Sequence, residues 1–276
     1  MDNADLKKVA RELRRGIVTA THAAKSGHPG GSLSATEIFT YLYFEEMHID
    51  PADPGKPERD RFVLSKGHCA PGLYSALAER GYFPKEELKT LRHLGSQLQG
   101  HPNMRDTPGV DMSTGSLGQG ISAAVGMALA AKLWGDSYRV YALLGDGELE
   151  EGQVWEAAML AGNHGLDNLC LIVDNNRLQI DGTIEEVNSA QPIGDKFRAF
   201  RFHVIDVQDG SDFDQLRAAF GEARATKGAP SCIVAHTTKG KGVSFMENQV
   251  GWHGKAPSDE QYEQAIFSIC VVWGST

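Results

Sequence analysis

The sequence has few cysteines for its length, four in 276 residues. Cys69, Cys170, Cys232 and Cys270 form no CxxC pair, and Cys170 and Cys232 lie inside apolar runs. Reduced core thiols are the expectation, not a disulfide framework. No run approaches the ~20 apolar residues of a membrane-spanning helix, so no membrane partner is expected. The opening stretch MDNADLKKVARELRRG has charge but no apolar core of an export signal. A cytoplasmic protein follows. Lys and Arg number 27 against 36 Asp and Glu, and the formal net charge is −9. With no cluster of basic residues, a nucleic-acid surface is excluded, and the acidity reads as solubility. HxxxH and HExxH are absent, and Cys69 beside His68 has no partner at ligand spacing, which argues against zinc. GxGxxG and Walker spacings are absent too, so nucleotide-binding loops are not indicated. There is no repeat, low-complexity tract or linker.

What is present is an ordinary globular composition, 41% hydrophobic and 23% charged. Leu6, Val9, Leu13 and Ile17 recur at helical spacing and predict a helix over 4–25. SGHPGGSLS breaks it, and a second helix is expected over 35–46. Three prolines make 49–60 a loop. A short strand at 61–64 and helices at 73–79 and 85–93 follow. The alanine-rich stretch 118–134 is helical by propensity. Beyond it, apolar strands at 138–144, 169–174, 203–207 and 231–236 are joined by helices that include 155–163 and 213–226. Strands apolar throughout, alternating with helices, indicate an α/β fold. Its central, mostly parallel sheet would carry helices on both faces. One domain over 1–276 is expected. Ligands of such sheets collect beyond the carboxyl ends of the strands.

Two strand ends carry unusual chemistry. One reads Gly145-Asp146-Gly147, the other Asp174-Asn175-Asn176. One helix and one strand fit between them, so the two turns should fall side by side. Magnesium takes oxygen ligands and commonly combines one or two protein groups with phosphate oxygens. Asp146 offers a carboxylate and Asn176 a carbonyl oxygen. Gly145 and Gly147 permit close approach of backbone to phosphate. The helix after the first turn is expected to aim its N-terminus at the anion. Each motif alone reads more readily as a tight turn or an Asx-turn. Their pairing favours a metal-held diphosphate.

The GDG and NN motifs at this separation resemble the signature of thiamine-diphosphate enzymes. SGHPGGSLSATEI, LSKGHCAPGLY, GSQLQGHP, STGSLGQGIS, GDGELEEG and GWHGKAP, in this order, further resemble the N-terminal region of transketolases over about residues 5–265. The resemblance implies the thiamine-diphosphate-binding fold. It also implies Mg²⁺, Ca²⁺ or Mn²⁺ held by Asp146, Asn176 and the carbonyl of Leu178. The cofactor would rest on Gly115, Ser116 and Leu117 of one loop, on Gly147, and on Ile180 and Lys239. Many transketolases have proline where Ser116 stands, so this loop loses a pre-set φ. Glu151 corresponds to an acid at the dimer interface that links cofactor sites. Its place at a helix start also suits the helix dipole.

Ten histidines are present. His28, His68, His101 and His253 each adjoin glycine in the motifs. The resemblance assigns them to the donor sugar and to proton movement, work for which imidazole is suited. His68 and His253 would also touch the cofactor, and Arg92 would stand at the entrance. His48, His93, His164 and His203 lack such context and read as structural.

The carboxylate that activates the cofactor's ring lies, in that family, in a pyrimidine-binding domain beyond this chain. The implied protein is therefore the N-terminal subunit of a split transketolase, inactive without a companion C-terminal subunit. It would transfer a two-carbon ketol unit between sugar phosphates, with self-association into a two-plus-two assembly. The alternatives are a thiamine-dependent partner chain resembling 1-deoxyxylulose-5-phosphate synthase or a 2-oxoacid dehydrogenase α chain, or a non-catalytic cofactor-binding subunit. After EQYEQA the resemblance fades, and residues 266–276 form an apolar tail of unassigned role.

Overall fold

The computed structural model describes residues 1–273, with side-chain surroundings through Val271, so the last three residues of the expected tail lie outside it. Five strands form one parallel sheet: β1 (Arg61–Leu64), β2 (Val140–Gly145), β3 (Leu169–Asn175), β4 (His203–Val207) and β5 (Ser231–His236). Their order is β1-β2-β3-β5-β4, and every neighbouring pair is parallel. The helices are α1 (Asn3–Ala24), α2 (Pro29–Ser34), α3 (Thr36–Tyr41), α4 (Ala70–Arg80) and α5 (Gln119–Trp134). They continue with α6 (Gly152–Asn163), α7 (Ile184–Val187), α8 (Ile193–Ala199), α9 (Phe213–Ala225) and α10 (Asp259–Trp273).

The sheet is buried on both faces, which explains its unbroken apolar strands. Tyr141, Leu143, Cys170 and Ile172 point into a core shared with α1, α3, α4 and α9. Val140, Ala142, Leu144, Leu169, Leu171 and Val173 point the other way, toward α5, α6 and α8. Burying each of the larger side chains contributes on the order of 2 kcal/mol. The expected α/β class and all five strand positions hold, with β2 beginning two residues later than predicted.

Several helices differ from expectation. SGHPGGSLS does not simply break the chain. Pro29 starts α2, a six-residue helix whose proline sits at the first position, where no backbone N–H is needed. The second predicted helix is α3 followed by a π turn over Leu42–Glu46. The segment predicted as a helix over 85–93 is a 3₁₀ turn, Lys85–Thr90. The helices α7, α8 and α10 have no periodic signal strong enough to predict them. Much of the apolar tail is α10 itself: Ile269, with Ala265 just before the tail, is buried against Ile17 and Val18 of α1. Phe267 and Val271 remain on its outer side. No helix among the described residues is long and apolar enough to cross a membrane.

Candidate active site

β2 and β3 are neighbours, with Gly145 opposite Asp174, so the two turns that follow them lie side by side at the carboxyl edge. Asp146 is buried. Its Oδ1 accepts from the Gly147 amide at 2.9 Å, and its Oδ2 from the amide of Arg177. Burial, with the charge of Asp174, pushes the Asp146 carboxyl up to about 7. A cation beside it would reverse that cost. Asn176 donates from Nδ2 to Asp174 at 3.1 Å and accepts at Oδ1 from the Leu178 amide at 3.1 Å. The Leu178 carbonyl accepts from Lys239 Nζ at 2.8 Å. Carboxylate, carboxamide oxygen and carbonyl thus converge, and a lysine ammonium supplies positive charge at the carbonyl. This all-oxygen donor set fits a hard divalent cation.

These groups line a cavity of about 310 Å³. It collects His68, Gly115, Leu117, Gly147, Ile180 and His253 around the three candidate metal donors and Lys239. Gly115 has φ of +154°, a conformation that glycine adopts freely. The expected helix N-terminus is not at the turn. A 3₁₀ turn, Gly147–Glu150, follows Asp146, and α6 begins only at Gly152. Within that turn, the carboxylate of Glu148 folds back onto the amides of Gly145 and Gly118.

Lys66, Asp174 and Glu148 lie inside the quoted motifs without an assigned role, yet all three are buried at the site. Asp174 gathers donors from four places: Ser34 of α2, Lys66 after β1, Thr237 after β5, and Asn176. Burial opposes ionisation of both Asp174 and Lys66. Their attraction outweighs it, holding the carboxyl below and the ammonium above their ordinary ranges. Because Asp174 takes the Nδ2 of Asn176, the orientation of the carboxamide is fixed, with Oδ1 on the Leu178 amide. A charged residue within an otherwise apolar, fully buried strand is the available signal for Asp174.

Three histidines pack together. Ring centroids are 5.2 Å apart for His28 and His68, 5.4 Å for His28 and His253, and 5.1 Å for His68 and His253. Burial, aided by nearby cations, lowers His28 to about 4 and His253 to about 3, and holds His68 well below its usual value. All three are neutral imidazoles near pH 7. Lys239 Nζ lies 3.0 Å from His253 Nδ1. The ammonium can only donate, so the proton of His253 resides on Nε2. His28 Nδ1 is buried without a hydrogen-bond partner, the kind of orphan a ligand hydroxyl satisfies.

The other candidate residues lie farther out. His101 is exposed, and its ring covers Gly115, where an added Cβ would stand 3.1 Å from His101 Cγ. Arg92 is exposed, has φ of +61°, and donates to Ser26 Oγ at 3.0 Å. Arg92 and His101 line a separate recess, together with His93, for which only a structural role is expected from the sequence. Ser116 and Glu151 are exposed, and neither lines the cavity. Glu151 sits at the start of α6 and packs its Cβ close to Gly118. Ile180 borders the cavity but is 63% exposed.

This geometry, a parallel α/β sheet with a cavity at the tips of β2 and β3 that gathers a few polar groups, defines an α/β ligand-binding domain. Residues 6–268 match the family described as "Transketolase, thiamine diphosphate binding domain", and the chain belongs to that family. It is 48% identical to the 6-deoxy-6-sulfo-D-fructose transketolase subunit SqwG of Clostridium sp. (strain MSTE9), the alignment covering 96% of each chain. It is 44% identical to an apulose-4-phosphate transketolase subunit of Phocaeicola vulgatus, over 96% of this chain and 93% of that one. Rat transketolase is 45% identical, but the chain spans only 42% of it. The structure of transketolase from Leishmania mexicana superposes with a TM-score of 0.90 at 38% identity. It covers 98% of this chain and 41% of that one.

Proposed function

We propose that this chain is the cofactor-diphosphate subunit of a two-polypeptide transketolase, which transfers a two-carbon ketol unit from a ketose phosphate to an aldose phosphate. The observation that carries the reading is the convergence of Asp146 Oδ, Asn176 Oδ1, the Leu178 carbonyl and Lys239 on one cavity. Its support from relatives is that those of matching length are named as transketolase subunits. The whole chain acts as one thiamine-diphosphate-binding domain in this reading. Asp146, Asn176 and Leu178 hold Mg²⁺, or Ca²⁺ or Mn²⁺ in its place. Lys239, which donates to the Leu178 carbonyl, would be free to meet the diphosphate if that carbonyl held the cation. Gly147, Gly115, Ser116, Leu117 and Ile180 border the rest of the cofactor.

Thiamine diphosphate supplies a nucleophilic carbon that accepts the two-carbon unit and hands it on. The chain's own side chains orient the sugar. His28, with its open Nδ1, accepts from a donor hydroxyl, and His253 offers an Nε2–H. His68 closes the cluster behind them, while His101 and Arg92 meet the sugar at the entrance. Glu151 lies toward a second copy of the chain. The companion polypeptide contributes the pyrimidine-binding half, giving a two-plus-two heterotetramer in the cytoplasm. The four unpaired cysteines support that location. The donor is a ketose of the pentose phosphate type or a modified ketose of the kinds for which the relatives are named.

Mixing the chain with its companion, Mg²⁺ and thiamine diphosphate should give ketol transfer from xylulose 5-phosphate, 6-deoxy-6-sulfofructose or apulose 4-phosphate. The chain alone should give none. Transfer by the isolated chain, or pyruvate decarboxylation by the pair, overturns the proposal.

A further inference from the structure

Between the Gly115–Leu117 loop and the Gly145–Gly147 turn lies a buried carboxylate that the cation and the sugar leave unexplained. Glu148 is 2% exposed and lines the cavity. Its Oε1 accepts from Ser65 Oγ beyond the tip of β1 and from the Gly118 amide at 2.9 Å. Its Oε2 accepts from the Gly145 amide at 3.1 Å. One side chain therefore joins the end of β1, the entry to α5 and the end of β2. Gly118 is the residue before α5, stands at φ of +78°, and has no side-chain cap of its own. Glu148 satisfies its otherwise orphaned donor.

Only a carboxylate offers two acceptor oxygens and no donor. A glutamine there must turn its NH₂ toward one of the three donors. The joined segments also have no slack. A Cβ on Gly67 would stand 2.7 Å from the Gly115 amide, and one on Gly120 would stand 2.7 Å from Ser65 Cα. The two walls tied by Glu148 both present backbone to the cavity: Gly115 and Leu117 on one side, Gly145 to Gly147 on the other.

We propose that Glu148 is a positioning residue for the cofactor, setting the distance between the loop that borders its rings and the turn that borders its diphosphate. This rests on the thiamine-diphosphate reading given above. Glu148 does not ligate the cation. It keeps the two walls in register so that one ligand can touch both.

The test uses the assembled two-polypeptide complex and calorimetric titration with thiamine diphosphate in saturating Mg²⁺, with magnesium pyrophosphate as a second ligand. In Glu148→Gln, the Kd for thiamine diphosphate should rise by about 10-fold or more, the scale seen when a supporting hydrogen-bond partner is lost. The Kd for magnesium pyrophosphate, which reaches only the turn, should stay within about 3-fold, and kcat at saturating cofactor should recover toward wild type. Ser65→Ala, which keeps both backbone ties, should shift the cofactor Kd by less than about 3-fold. If Glu148→Gln does not assemble, Glu148→Asp, one methylene shorter but still charged, should show the same selective loss. Unchanged cofactor affinity in the variant that assembles overturns the inference. So does an equal loss for pyrophosphate and cofactor, which marks general weakening. A wild-type complex that binds magnesium pyrophosphate but not thiamine diphosphate overturns the functional reading, and this inference with it.

Discussion

The inner wall of the cavity and its outer side are built differently. On the inner wall, Asp146, Glu148, Asn176 and Lys239, with Asp174 behind them, are buried, and each side chain is held by at least two partners. On the outer side, Ile180 forms the lip, Arg92 and His101 line a separate recess, and Ser116 lines neither; all four face solvent, with few partners of their own. Rigid polar networks in a low-dielectric interior hold a charged ligand without reorganising. Exposed side chains bind well only when something else covers them. The difference teaches that the buried network is held within this chain alone, and in the proposed reading it takes the diphosphate, while the exposed groups take the sugar once a second surface covers them.

The largest effect should come from the inner wall. Asp146→Ala should raise the half-saturating concentration of thiamine diphosphate in the complex by more than about 100-fold, since losing even outer partners of a metal site costs about 10- to 100-fold. Calorimetric titration reads this, and a change below about 3-fold would erase the contrast between wall and outer side. Next, Asp174→Ala leaves Lys66 buried without its counter-charge. It should destabilise the cofactor-free chain by about 3–5 kcal/mol, read from urea unfolding. An effect under about 1 kcal/mol would mean that the wall is not rigidly held.

Changes on the outer side should be smaller and of another kind. Arg92→Ala and His101→Ala should each raise KM for the sugar by about 10-fold, the worth of one charge-assisted hydrogen bond. Cofactor affinity should not change. A matching loss of cofactor affinity would place these residues on the wall instead.

The weakest effect is one of pH. His28 and His253, held at about 4 and about 3, should show no titration of their ring C–H resonances between about pH 5 and 8. The unfolded chain takes up protons on these rings below about 6.5, and the folded chain does not. Acidification from about 6.5 toward 4 therefore favours unfolding through these two groups. Titration of either ring near its ordinary value would dissolve the packed, half-buried triad.

The strands are legible in the sequence because both faces of the sheet are covered, so Leu169–Val173 reads apolar without interruption. The GDG and NN turns are legible through their pairing after two apolar strands, since each alone reads as an ordinary turn. What stays hidden depends on contacts between distant residues. Lys66 and Asp174 meet across 108 positions, and a lysine in a glycine-flanked loop looks like a solvated one. Glu148 looks like an ordinary helix-start acid, and only the fold shows its oxygens turned back to Gly118 and Gly145. The helix α2 is masked by its two glycines, whose low propensity is overridden by burial beneath Trp252 and against Cys69. Of the candidate site residues, those on the buried tips of β2 and β3 come together. Ser116 and Glu151, chosen through family likeness alone, stand apart from the cavity.

A crystal structure of the two-polypeptide complex with Mg²⁺ and thiamine diphosphate tests the central claim most directly. The account predicts an octahedral ion ligated by Asp146, Asn176 Oδ1 and the Leu178 carbonyl, with Lys239 Nζ moved off that carbonyl. An ion bound elsewhere, with Lys239 still on Leu178, would contradict it.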